Sequence, residues 1–295
     1  MRIERFNSAN RLVWDKWIRD CRAPFYFLRS YIDYHGSRFI DHSMMFYDED
    51  EMVGLIPAIQ EGSTIHSHKG LSYGGWIGHN IHNEILIDSI KEHCENQGIE
   101  SIIYRPQPTF YGVNSENLHD SMEVFSEKLT FIIPLSQPLN INTNRKRNLK
   151  KSDHLEVKHM VDVDSFYSML YNEMMERHKT SPIHTKEDLV YLCRSFPDNI
   201  KIFAARHKEN VGYIMTFLFR DVIKCQYIVS DEMGYKHEAI TQIVIFLAEH
   251  FKHSHMYLDL GAATDEHGNF KESLARFKRS LGAEEKVVST YQLYI

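Results

Sequence analysis

The stretch from Val222 to Gly282 reads VIKCQYIVS (222–230), DEMGYKH (231–237), EAITQIVIFLAEHF (238–251), MYLDLGA (256–262), DEHGN (265–269) and FKESLARFKRSLGA (270–283). The order spells strand, turn, helix, strand, turn, helix. Val222, Ile223, Tyr227, Ile228 and Val229 are β-branched or aromatic and suit a pleated strand. Ile240, Ile243, Val244 and Leu247 recur at three- and four-residue spacing, as on one helix face. A turn at Gly234 therefore opens a helix beside the end of a strand. The first N–H groups of such a helix lack intrahelical partners, and with the helix dipole they suit an anion such as a pyrophosphate. A ligand carrying a phosphate is the first expectation.

Outward from this stretch, the second half holds a strand LEVKHM (155–160), a helix from Asp162 or Asp164 to Lys179, and a helix opened by Thr185. Three strands follow: IKIFAARH (200–207), VGYIMTFLF (211–219) and IKCQYIV (223–229). Ser, Thr and Asp at such starts accept the orphan amides of the first turn. VSTYQLYI (288–295) closes the half as a last strand. The first half begins with an amphipathic helix after Ser8. Short extended runs separated by DED, EGS and GG follow, as in an antiparallel meander. Then come a helix ended by Gly98, a strand stopped by prolines (IESIIYRPQP, 99–108), and KLTFIIPL (128–135) as the last strand of the half. Both halves thus run helix, antiparallel strands, helix and strand, which reads as a repeat of one α+β unit. The polar, basic INTNRKRNLKKSDHL (141–155) marks a boundary near residue 150, giving domains 1–150 and 151–295.

The chain has 295 residues and a net charge of −6, the wrong sign for a general nucleic-acid binder. No apolar run reaches membrane-spanning length and the charged start does not resemble a signal peptide, so a cytoplasmic protein without membrane contact is expected. Cys21, Cys94, Cys193 and Cys225 show no CxxC pairing. No disulfide framework or zinc site follows from them, and they read as core residues. The histidine pairs 66/68, 79/82 and 253/255 lack a neighbouring Cys or carboxylate set, so no metal is expected.

Taken together, LSYGGWIG (71–78), RKRNLKKS (145–152), RHKTSPIHTKEDL (177–189), QYIVSDEMGYKHEAI (226–240), YLDLGAATDEHGN (257–269) and FKRSLGAEEKVVSTYQLYI (277–295) resemble the tandem-GNAT N-acyltransferases related to the Fem aminoacyltransferases. The likeness is greatest to the nucleotide-sugar N-acyltransferase branch. It implies two tandem GNAT-like domains, each a mostly antiparallel mixed sheet flanked by helices. It also implies acyl transfer from acyl-coenzyme A to the amino group of a dTDP- or UDP-linked amino sugar, for O-antigen or capsule biosynthesis. Coenzyme A would lie where IKCQYIV and MYLDLG part, with the C-terminal domain holding the donor and the N-terminal domain the nucleotide sugar. The usual Q/R-x-x-G-x-G/A turn is replaced by DEMGYKHEAI, with one glycine, where Lys236 and His237 would supply donors. The rivals are a Fem-like aminoacyl-tRNA-dependent transferase acting on a peptidoglycan precursor and a non-catalytic nucleotide-binding module. The basic 145–152 segment favours the first, and the degenerate turn the second. A homodimer stays open.

Attack of an amine on a thioester needs an uncharged amine, donors for the oxyanion and a proton for the leaving thiolate. His184, just ahead of the helix at Thr185, is the candidate base, with His178 a substrate contact. Tyr227 would protonate the thiolate or bind the sugar. Asp259, at the end of a strand, would receive the amine proton or hold the ammonium, or simply cap the following turn. Ser230, Gly234, Lys236, His237, Asn269 and Lys271 are the cofactor-binding candidates. Arg38, Tyr73 and Arg105 are those for the nucleotide diphosphate and base, through guanidinium–phosphate pairing and stacking. No cysteine lies in a nucleophile motif and no serine in G-x-S-x-G, so direct attack without an acyl-enzyme is expected.

Overall fold

The run AITQIVIFLAEHF forms the helix its spacing predicts and buries Ala239, Ile240, Ile243, Val244, Leu247 and Ala248 along one face. Each large apolar side chain taken out of water contributes roughly 1.5–3 kcal/mol, so this face anchors its sheet. The computed structural model describes residues 1–79, 81–112, 118–265 and 268–295, the side chain of His178 excepted. Two units emerge: Met1–Lys128 with Val287–Ile295, and Leu129–Lys286. The second is a mostly antiparallel mixed sheet flanked by helices and the first divides its strands between two sheets, which together make the α+β class expected of the chain.

The strands of the first unit are β1 (Arg2–Arg5), β2 (Ile40–Asp41), β3 (Met44–Asp48), β4 (Glu51–Ile56), β5 (Ile59–Glu61), β6 (Thr64–His66), β7 (Ile77–Gly78) and β8 (Ser101–Tyr104). Its helices are α1 (Arg11–Asp20), α2 (Arg29–Ile32) and α3 (Asn83–Asn96). The meander pairs β1, β3, β4 and β7 in that order, and β6 runs parallel to β8. The core gathers Met44, Phe46, Ile56, Trp76, Leu86, Ile90 and Tyr104. Ser8 does not cap α1: Asn7 accepts the Ala9 amide and a short 3-10 turn precedes the helix.

Within this unit His42 and His68 are buried, and burial pushes them down to about 4 and about 3. The His68 Nδ1 accepts the Gly70 amide at 3.1 Å, which suits a neutral ring. Unfolded histidine takes a proton near pH 6.5, whereas the folded rings take theirs only near 3–4. Stability is therefore complete above about 6.5 and falls as the pH drops towards 4, by on the order of 3 kcal/mol for each ring. Urea midpoints at pH 7 and pH 4.5 measure this; His68→Phe should flatten the loss.

The second unit takes β9 (Glu123–Pro134) from Leu129 onward, then α4 (Thr143–Leu149), β10 (Glu156–Met160), α5 (Val163–His178), α6 (Lys186–Ser195), β11 (Ile200–Arg206), β12 (Asn210–Leu218) and β13 (Val222–Ser230). It continues through α7 (Glu232–Lys236), α8 (Ala239–Phe251), β14 (Tyr257–Ala262), α9 (Glu272–Ser280) and the start of β15 (Glu284–Tyr294). Its strand order is β10-β11-β12-β13-β14-β9, all antiparallel except the parallel β13–β14 pair. KLTFIIPL, read as closing the first half, sets Ile132–Pro134 against Tyr257–Asp259 of β14 in this unit. The end of the last strand, 291–294, pairs with β8 in the first unit. Among the described residues no helix is long and apolar enough to cross a membrane.

Candidate active site

The site is organised by the place where β13 and β14 stop pairing. Their parallel register holds for three pairs, Val222–Tyr257, Ile223–Leu258 and Lys224–Asp259. Beyond these, β13 stays paired with β12 up to Ser230, after a bulge that leaves Gln226 without an opposite residue. β14 in turn continues beside β9 through an irregularity between Asp259 and Ala262, with Gly261 at φ 77°. A β-bulge bends its strand and raises the local twist, so two bulged strands diverge. The Gln226 Oε1 is buried at this point with no hydrogen-bond partner among the described residues. The β13 edge thus parts from β14 beyond Lys224 and Asp259, which opens a place for an extended ligand that hydrogen-bonds along a strand.

Lys278, on α9, keeps β14 in this conformation. Its Nζ donates to the carbonyls of Leu260, Gly261 and Ala262 at 2.7, 2.9 and 2.7 Å. Burial pushes the amine down to about 8, against the opposing pull of Asp259 and Cys225. The helix spacing shows the residue in the sequence: Leu274, Ala275, Lys278 and Leu281 share one face, and a lysine there points inward. It was not among the expected site residues.

His184 and Tyr227 come together. The phenol oxygen lies 2.6 Å from the His184 Nδ1, and the two rings meet edge on, 5.7 Å apart. Local sequence explains the placement of each. Thr185 and Asp188 form a capping box at the start of α6, which fixes His184 one residue ahead of the N-cap. Tyr227 follows the bulge on β13 and packs on Phe166 of α5 at 6.3 Å. His184 is 7% exposed. Burial pushes the phenol well above its ordinary range; a hydrogen bond from the His184 backbone opposes the rise, and Tyr167 and Asp188 add to it. The phenol is therefore protonated at neutral pH. Accepting from the His184 backbone N–H, it is arranged to donate its proton to Nδ1.

Asp259 is fully buried at the last registered pair of β13 and β14. Its Oδ1 accepts from Thr130 Oγ1 at 2.9 Å and from the Gly261 amide at 2.8 Å. The second bond is an Asx turn, the capping role weighed for it above. The carboxylate acting on the Tyr227 phenol is that of Asp188.

The turn expected to hold a pyrophosphate is built differently from a phosphate cradle. Asp231 caps α7, taking the Gly234 amide on its Oδ1 at 2.7 Å. Ser230 is buried, donating to the Val211 carbonyl at 3.1 Å. Lys236 is exposed and His237 buried. Glu238 stands at the N-cap of α8, where its carboxylate accepts from Thr241 at 2.7 Å, from Asn148 at 3.1 Å and from Arg145. Two carboxylates thus occupy the anion-favouring positions at the helix starts, and one guanidinium offsets one of them. These residues do not fit a pyrophosphate laid over this turn. The lone glycine has another reason: a Cβ on Gly234 would sit 2.0 Å from the Val211 oxygen and 2.2 Å from Ser230 Oγ. Gly234→Ala should destabilise by about 1–3 kcal/mol, read from urea unfolding, because backbone has to move.

Asn269 and Lys271 meet at a third carboxylate. Asp265 accepts the Asn269 amide at 2.8 Å and pairs with Lys271 Nζ at 3.0 Å, which holds its pKa far below the usual range. In the first unit Arg38 donates to the carbonyls of His35 and Tyr34 at 3.0 and 3.2 Å. Tyr73 is buried against Tyr111, and it is the charge partner that opposes the lowering of Arg105 by burial. Arg105 also reaches Thr290 at 3.4 Å. The paired glycines beside Tyr73 permit close approach within the unit itself: a Cβ on Gly74 would meet the Ser67 oxygen at 2.2 Å. A cavity of about 180 Å³ in this unit is lined by Arg29, Asp33, His35, Phe39, Asp41 and His68, and not by Arg38, Tyr73 or Arg105. The side chain of His178 lies outside the described residues.

No family model and no curated protein sequence matches the chain. Solved structures do. The chain is similar to FemX at a TM-score of 0.66 and 10% identity, over 100% of this chain and 98% of that one. A conserved protein of unknown function from Bacteroides thetaiotaomicron matches at 0.60 and 12% identity, over 99% and 98%. L-PGS from Bacillus licheniformis matches at 0.52 and 15% identity, over 85% and 83%. At such identities the likeness is one of fold. It gives the chain a fold like that of FemX, in agreement with the element order and with the parted β13–β14 pair.

Proposed function

We propose that the chain is a GNAT-like transferase that forms an amide by direct attack of a primary amine on an activated carbonyl held where β13 and β14 part. The contact between Tyr227 and His184 beside that opening carries the reading. As the amine nitrogen bonds to the carbonyl carbon, the phenol oxygen takes the ammonium proton while its own proton passes to His184 Nδ1. The bond from carbon to the leaving sulfur or oxygen then breaks, and the proton returns through the phenol to the leaving group. Asp188 favours the transient imidazolium. Each group ends in its starting state, and no acyl-enzyme forms.

Two donors remain in contention. Acyl-coenzyme A, with a dTDP- or UDP-linked amino sugar as acceptor, is the donor the sequence resemblance implies, and Tyr73 with Arg105 are the groups proposed for the acceptor's nucleotide. An aminoacyl-tRNA is favoured by one observation: Asp231 and Glu238 stand at the turn over which the resemblance would lay the coenzyme A pyrophosphate. An aminoacyl ester brings no pyrophosphate to that turn. The exposed Lys146, Arg147, Lys150 and Lys151 beside it suit a polynucleotide backbone, and the similarity to FemX fits this reading.

Purified protein incubated with acetyl-coenzyme A or with charged tRNA, each with and without UDP- and dTDP-amino sugars and a muropeptide, separates the readings. Release of free thiol supports the first donor. Loss of tRNA charging that depends on the acceptor supports the second. Turnover with neither, alongside thermal stabilisation by a nucleotide alone, would leave a binding module and sink the transferase reading.

A further inference from the structure

Three residues far apart in the chain meet beside the α7–α8 turn. The Asp153 Oδ2 lies 3.1 Å from His207 Nε2 and 3.5 Å from His237 Nδ1, and the three ligand atoms fall within 4.8 Å of one another. Two atoms bound tetrahedrally at 2.0–2.1 Å to one zinc-class ion stand about 3.3 Å apart, so both measured edges match such a bite. The third pair lies within 4.8 Å, and the His207 ring, which is exposed and stacks on His237 at 4.9 Å, has room to turn towards a shared ion.

The local hydrogen bonds set the tautomer of His237. The Asp153 backbone N–H donates to His237 Nδ1 at 3.3 Å, so that nitrogen carries no proton. It nevertheless faces a carboxylate oxygen at 3.5 Å. That nitrogen has one lone pair, which the amide holds, so a bound cation would take the place of this long hydrogen bond. Neutral imidazole nitrogen and carboxylate are the ligand forms a transition ion requires.

The scaffold fixes the approach. Gln242, buried on α8, donates to the carbonyls of Asp153 and His237 at 3.0 and 2.8 Å and accepts the Leu155 amide at 2.9 Å. One side chain therefore fastens two of the three ligand-bearing segments. Outer-shell support of this kind is what holds metal ligands in register. His207 comes from the loop between β11 and β12, 54 residues after Asp153, so no ligand-spacing motif marks the set.

We infer that Asp153, His207 and His237 form a binding site for a divalent transition ion of the zinc class, with solvent at the remaining position. The ion would clip the 151–155 segment, the β11–β12 hairpin and the α7–α8 turn together. The inference rests on no assumption about the reaction.

The test uses the full chain without a histidine tag, stripped with EDTA. Titration with Zn²⁺, Co²⁺ and Ni²⁺ by calorimetry, and the visible spectrum of the Co²⁺ form, should show one site with a tetrahedral or five-coordinate spectrum. Zn²⁺ at a hundredfold excess over Kd should raise the melting temperature by roughly 5 °C. Mg²⁺ and Ca²⁺ should give neither signal. His207→Ala and Asp153→Asn, both at exposed positions and checked for native circular dichroism, should each weaken binding at least tenfold. No binding by the native chain, or equal binding by both variants, overturns the site and assigns any uptake to the other histidines.

Discussion

Tyr227→Phe should slow amide formation about 10²–10⁴-fold, the span that a positioned proton-transfer group supplies, with little change in KM for either substrate. The hydroxyl is the only part lost, and the ring continues to pack on Phe166. The His184 Nδ1 then loses its 2.6 Å partner, so a stability cost of about 1–2 kcal/mol accompanies the change. A purely structural hydroxyl would show the second effect without the first. His184→Ala breaks the same relay at its other end, and because the two groups act as a unit the double variant should be no slower than the worse single one. Single-turnover rates with excess enzyme measure this without interference from product release. Rates within threefold of the native enzyme in Tyr227→Phe would remove the phenol from the chemistry. An acyl donor whose leaving group needs no proton, such as a nitrophenyl ester, should lessen the defect, since the return step is then dispensable.

How much of this site can be read from sequence differs from residue to residue, and the differences have physical causes. Thr185 and Asp188 announce the start of α6 because a capping box is local, and they place His184 to within one residue. The apolar face of α8 is likewise periodic and local. The partners of KLTFIIPL and VSTYQLYI are not, because strand pairing is set by contacts across long stretches of chain that leave no trace in either strand alone. The carboxylates at the α7–α8 turn are visible as letters in DEMGYKHE. Their meaning depended on Arg145, Asn148 and Thr241 meeting Glu238, pairs that cross 93, 90 and 3 residues. Asp153, His207 and His237 show the same limit more sharply, since a metal-ligand motif is recognisable only when its ligands lie on one or two elements.

Lys278→Met should lower stability by about 3–5 kcal/mol at pH 7 and make the loss grow as the pH is raised. Methionine fills a similar volume, so packing around Phe131 and the α9 face changes little. The carbonyls of Leu260, Gly261 and Ala262 lose their shared donor, at about 1–3 kcal/mol for a buried group left unpaired, and the buried Asp259 loses its cation. Relief of the desolvation carried by the lysine offsets part of this, which keeps the net below the sum. The pH dependence follows from an amine held at about 8 in the folded chain against an ordinary 10.5. Between these values the unfolded chain keeps the proton and the folded chain has released it. The unfolded state therefore binds more protons, and the native protein gains stability relative to the variant by up to about 3 kcal/mol as the pH climbs from 8 to 10.5. The contribution is complete above 10.5 and lost as the pH falls through 8. Urea unfolding of both proteins at pH 7.5, 8.5 and 9.5 reads the gap, and other titrating groups cancel in the difference. A gap that stays level or narrows would mean the amine is not depressed by burial. The same variant tests the opening itself: with its carbonyls released, β14 is free to continue its ladder with β13 beyond Asp259, and slower hydrogen exchange of the 225–229 amides in Lys278→Met would show the two strands closing over the site.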